Sequence, residues 1–181
     1  MKIYVYLLIV ICIACQKPAK HIYITKYNFS YTLIRPNIRT IDSLELQQSG
    51  IRIYKPFDIN LSDSYFPNSK KYKFAQPLLY LRKNENMNTV VSYFFTEKDS
   101  IVRLVEYAWN TMKDGDSISE LYKYNEEYFN QYFKNQAKHK SEVHPGWKQK
   151  MTTWENDSIN IFHFILSHDE PERTRVIIRF K

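Results

Sequence analysis

The chain has 181 residues, a net charge of +7, and 44% hydrophobic and 16% aromatic content. That apolar content is enough for a packed core and excludes a disordered tail. Gly50, Gly115 and Gly146 stand far apart, which excludes a glycine-rich phosphate cradle, and the basic residues form no block of like charge.

The chain opens with Lys2 and then an uncharged apolar run over residues 3–14. The run is too short for a comfortable membrane span, which needs about 20 apolar residues. It suits the apolar region of an export signal. It ends in Ile13, Ala14 and Cys15, a small residue followed directly by a cysteine. Here the first 15 residues resemble a bacterial lipoprotein signal, with Cys12 where that family usually carries Leu. The resemblance implies that residues 1–14 are removed and that Cys15 becomes a lipidated first residue. It implies nothing about the fold behind it. An uncleaved anchor and an N-terminal core element are the other readings of the run. Cys12 and Cys15 are the only cysteines, so on the lipoprotein reading the mature body has no disulfide and stands on its core.

Residues 15–20 read as a short polar tether, and 21–181 as a single domain. In the tether, Lys17 and Lys20 can touch anionic headgroups. The tether has no carboxylate, and so lacks the acidic tag that marks surface lipoproteins in some Gram-negative bacteria; a periplasm-facing outer-membrane protein is expected. Residues 21–34 alternate as a strand that Pro36 stops. Residues 38–46 and 51–54 flank Ser49-Gly50 and read as a hairpin. The polar segment 61–76, with Pro67, reads as a long surface loop.

Residues 78–82, 89–96 and 101–110 read as strands, with turns at 84–88, 97–100 and Asp114-Gly115. A helix follows. Ser117 is the expected N-cap and Glu120 completes a capping box. Ile118, Leu121, Tyr122, Asn125, Tyr128, Phe129, Tyr132 and Phe133 recur at helical spacing and predict an amphipathic helix packed on a sheet, with its Leu121–Tyr128–Tyr132 side inward. Residues 138–146 read as a loop broken at Pro145-Gly146. Residues 147–154 and 158–167 read as strands, 168–172 as an acidic loop, and 173–181 as a strand with one wet face. The turns at 97–101 and 155–159 share Glu-x-Asp-Ser-Ile, by duplication or by chance.

Several strands are apolar on both faces and need cover on both. The helix covers one face, and the N-terminal half, a partner or a ligand cavity covers the other. The fold class is therefore α+β, with antiparallel strands packed against one long helix.

No nucleophile motif or zinc spacing occurs. His163, between Phe162 and Phe164, reads as a hydrogen-bonded sheet residue. His168, Asp169, Glu170 and Glu172 read as a charged loop rather than a metal site. Asp114 and Asp116 lack the rest of a calcium loop. No catalytic residue, metal or cofactor is assigned, and nucleic acid is not an expected partner of an exported chain. The expected function is a non-enzymatic binding or accessory lipoprotein, held to the membrane through Cys15 and able to meet a protein partner. A carrier of an apolar ligand and an enzyme with a dispersed site are the alternatives.

Overall fold

In the computed structural model the described residues are 21–24, 29–83, 87–110, 115–168 and 171–181. The expected signal, Cys15 and the tether lie outside them, as do parts of the turns at 84–88 and 114–115 and of the loop at 168–172. β1 (His21–Ile24) and β2 (Phe29–Thr32) form a hairpin of their own. A short 3-10 turn leads into α1 (Ile41–Gln47) and then β3 (Gly50–Ile53). β4 (Leu78–Lys83), β5 (Asn88–Phe95) and β6 (Val102–Asn110) precede α2 (Gly115–Tyr132). β7 (Lys138–His144), β8 (Trp147–Glu155), β9 (Ile159–Ser167) and β10 (Pro171–Phe180) follow it. β3 to β10 make one eight-stranded sheet in the order β3-β4-β5-β6-β10-β9-β8-β7, with every pairing antiparallel. The fold is α+β, with α2 packed on the sheet, as the periodicity predicts.

β10 is the keystone. It pairs with β6 on one side and β9 on the other, and so joins the strands before α2 to those after it. Its central place corrects the expectation of a wet face. Ile177 is fully buried, and its same-face neighbours Arg175 and Arg179 are half-buried.

The hairpin expected over 38–54 is instead helix, turn and strand. Ile38, Ile41 and Leu44 lie three residues apart, and from the 3-10 turn and α1 they join the core on one side. Asn37 Oδ1 accepts from Arg39 N at 2.9 Å and starts the segment. Ser49 turns the chain with φ 56°. Gly50 then lies so close to α1 that a Cβ there would collide with the Glu45 carboxylate.

The loop expected over 138–146 is also corrected: it is β7. Its break, Pro145-Gly146, is the turn into β8, with Gly146 at φ 81°. β7 is polar because it is an edge strand, mostly exposed on both faces. The expected N-cap at Ser117 is corrected too. α2 begins two residues earlier, so Ser117 lies inside its first turn. The inward stripe of α2 is Ile118, Leu121, Tyr122, Asn125, Phe129 and Phe133, all buried, while Tyr128 and Tyr132 pack at its margin.

The two similar turns differ in geometry. In the first, Asp99 Oδ1 accepts from Ile101 N at 3.1 Å and Ser100 takes φ 54°. In the second, Asn156 Oδ1 accepts from Ser158 N at 2.9 Å and Ile159 N at 3.0 Å. Shared letters there do not make a shared turn.

The N-terminal half covers both faces of the sheet. β2, α1 and α2 lie on one face, where Tyr31 packs against Tyr107 and Phe129. The polar segment read as a surface loop crosses the opposite face as a strap. Its Tyr65 and Phe66 are buried against Phe94, Leu104, Phe162, Phe164 and Ile177. Arg179 Nη1 donates to Tyr65 O at 3.0 Å and pins the strap to β10.

Candidate functional site

Three polar groups lie on the helix side. In the first, Glu45 of α1 is fully buried and held by three donors. Arg82 Nε and Nη2 donate to its two oxygens at 2.8 and 2.7 Å, and the Tyr93 hydroxyl donates to Oε1. Arg82 Nη1 donates to Ser30 O at 3.0 Å. Burial opposes the Arg82 charge, but the bonds to Glu45 outweigh it and hold its pKa above the ordinary value. Every charge in this cluster is answered, so it ties β2, α1, β4 and β5 together and leaves nothing for a substrate.

The second group surrounds His163 on β9. Thr174 Oγ1 donates to Phe164 O at 2.7 Å, so it accepts from His163 Nε2 at 3.0 Å. That places the ring proton on Nε2. The 3.4 Å approach of Asn125 Nδ2 to the same nitrogen is then a contact rather than a bond. Nδ1 is buried without a partner, and the ring stacks on Tyr122 at 4.1 Å. Burial pushes the imidazole down to about 3, so it is neutral at physiological pH. This is the hydrogen-bonded sheet histidine that the sequence predicts.

The third group joins α2 to β7 and β8. Thr152 Oγ1 donates to Glu126 Oε1 at 2.8 Å and accepts from Tyr122 Oη at 2.9 Å. His139 Nδ1 lies 3.1 Å from the same hydroxyl. The residue types suggest a nucleophile with its base, but the geometry is wrong for one. Thr152 is 1% exposed, and its proton points at the carboxylate rather than the imidazole. Tyr122 is pushed up to about 12 by burial. The remaining histidines do not converge: His139 and His144 lie on opposite faces of β7, and His168 lies beyond β9. Among the described residues no group of three His, Cys, Asp or Glu is placed to hold a metal ion, and no helix is long and apolar enough to cross a membrane. The side chains of Asp114, Asp116, Asp169, Glu170 and Glu172 are outside the described residues.

The concave surface is on the other face. The strap covers the middle of the sheet and leaves the β7–β9 side open. There a cleft of about 410 Å³ lies between Asn60, Ser62, Ser64 and Tyr65 of the strap and the outer strands. Its floor is a cross-strand row: Arg175 is opposite Phe164, Phe164 opposite Met151, and Met151 opposite Lys140. A second row runs Arg173, Leu166, Gln149 and Glu142. Leu166 and Gln149 also line an adjoining cleft of about 300 Å³ that reaches Trp147. The first row is thus apolar in the middle with a basic residue at each end, while the second carries Gln149 in its middle and ends in the carboxylate of Glu142. Lys140 pairs with Glu142 at 2.6 Å. Arg175 Nε lies 3.0 Å from Glu106 Oε1, but its N–H is not aligned with that oxygen and has no hydrogen-bond partner. Burial raises the Glu106 pKa and the Arg175 charge opposes the rise.

No sequence motif pointed to this cleft. Its floor residues come from four strands, and the one local sign was Arg175 and Arg179 alternating with apolar residues. No protein-family model matches the chain, and no curated protein or solved structure matches it.

Proposed function

We propose that the protein is a lipid-anchored envelope protein of the binding, non-enzymatic type, and that the cleft beside the strap is its binding surface. The observation that carries the binding reading is the cleft at the strap's edge, where the Arg175–Phe164–Met151–Lys140 row sets two apolar side chains between two basic ones beside the polar Gln149 and Glu142. Such a floor suits an extended segment of a protein partner with apolar side chains and carboxylates. The helix-side face supports a surface site over an interior carrier, because Tyr31, Trp109, Phe129 and Trp154 fill it. The anchor rests on the sequence: the apolar run ending in Ala14-Cys15 marks Cys15 for lipid. Lys17 and Lys20 then hold the body near anionic headgroups, at about 1 kcal/mol each, on the periplasmic side of the outer membrane.

Three experiments test this. In cells fed a clickable fatty acid, the chain takes up label and Cys15→Ala abolishes both label and membrane partition. Partition without label in either form overturns the anchor. Protease added to intact cells leaves the body whole; its digestion beside a surviving periplasmic control places it on the surface. For the cleft, a photo-crosslinker at Gln149 captures a partner that one at exposed Lys123 on α2 does not, and Met151→Glu abolishes the capture. Equal capture at both positions moves the binding surface off the cleft.

A further inference from the structure

We propose that two copies of the chain pair edge to edge through β7, antiparallel about a two-fold axis at Ser141. Among the described residues β7 bonds to β8 on one side only, and its other edge carries the N–H and C=O groups of a seven-residue strand with no strand beside them. The opposite edge of the sheet is the four-residue β3.

The side chains of β7 choose the partner. Lys140 and Glu142 flank Ser141 and, two residues apart on a strand, share a face. A two-fold axis at Ser141 sets Lys140 opposite the partner's Glu142, and Glu142 opposite the partner's Lys140. The strand is therefore complementary to itself, as a two-fold interface requires. Sliding the pairing by two residues either way sets Lys140 against Lys140 or Glu142 against Glu142, and like charges directly opposite destabilise a pair. In the matched register His139 faces the partner's Val143, which covers a valine that is 75% exposed. Lys138 faces the partner's His144 and keeps its own bond to Glu155 at 2.8 Å. Within each chain Lys140 and Glu142 already pair at 2.6 Å, so dimerisation exchanges two exposed ion pairs, one per chain, for a four-charge square. The axis is perpendicular to the sheet, so the two clefts open on the same side. Lys140 and Glu142 also line the cleft, and the pairing is read by mass in the absence of any cleft ligand.

The test is sedimentation of the full chain in density-matched detergent. The wild-type chain runs at twice the protein mass. Lys140→Glu alone and Glu142→Lys alone each run at the monomer mass, because each sets like charges opposite one another. An equimolar mixture of the two variants recovers the dimer mass, and so does the double variant Lys140→Glu/Glu142→Lys. Melting curves of the variants that overlay the wild type show that the fold is intact. A wild-type chain that stays monomeric, single variants that associate as the wild type does, or a mixture no heavier than its components would each overturn the proposal. Ser141→Pro gives a second reading, since it removes a backbone donor at the axis; it too runs as a monomer.

Discussion

Arg82 and Glu45, 37 residues apart, meet in a buried two-point ion pair. The pair links β4 to α1 and fixes where the N-terminal elements sit on the sheet. Removing one partner leaves the other charged and buried, which costs about 3–5 kcal/mol. Glu45→Leu and Arg82→Leu should each lose that much in urea denaturation. The double variant should cost less than the sum of the two. Additive losses would show that the two side chains act separately. Gly50→Ala should disturb the same pair, because the new methyl group meets the Glu45 carboxylate.

His163 makes stability depend on pH. The unfolded imidazole titrates near the ordinary value of 6.5 and the folded one near 3. Between those values the unfolded chain binds one more proton, so stability falls as pH falls. From pH 7 to pH 5 the loss from this group is about 2 kcal/mol. His163→Gln should flatten that part of the profile in denaturant titrations at the two pH values. A profile of unchanged slope would assign the dependence to other groups.

Phe129 is the centre of the α2 stripe, fully buried between Tyr31 and Trp154. Phe129→Ala should cost about 3–5 kcal/mol. Tyr132→Ala, at the margin, should cost distinctly less. Equal melting temperatures for the two variants would contradict the inward stripe.

The most deeply buried apolar anchors of the strap are Tyr65 and Phe66, with Leu61 and Phe74 packed beside them. Phe66→Ala should loosen it before it unfolds the sheet. Brief trypsin treatment should then cut at Lys70 or Lys71 faster than in the wild type, while α2 stays protected. Cleavage at equal rates throughout the chain would mean that strap and sheet open as one unit.

Local sequence determined what depends on near neighbours. The stripe from Ile118 to Phe133 spans several helical turns, and its period identifies α2; the period set Tyr128 and Tyr132 inward, and packing on the sheet moved them to the margin in favour of Phe129 and Phe133. Runs such as Ile159 to Leu166 are apolar on both faces and announce a sheet covered on both. α1 and β7 are too short and too polar for a period to emerge; Glu45 looks like a surface residue until Arg82 is known to stand beside it. The strap reads as solvent-exposed loop because its polar residues outnumber Tyr65 and Phe66, and only the sheet beneath shows what those two cover. β10 reads as a strand with one wet face until the strap covers that face and β6 and β9 close on both sides of it. Arg175, Phe164, Met151 and Lys140 are scattered through the chain, and only strand register sets them in one row. Register is a contact between distant segments, chosen by the packing of the whole sheet, so the cleft belongs to the tertiary structure alone.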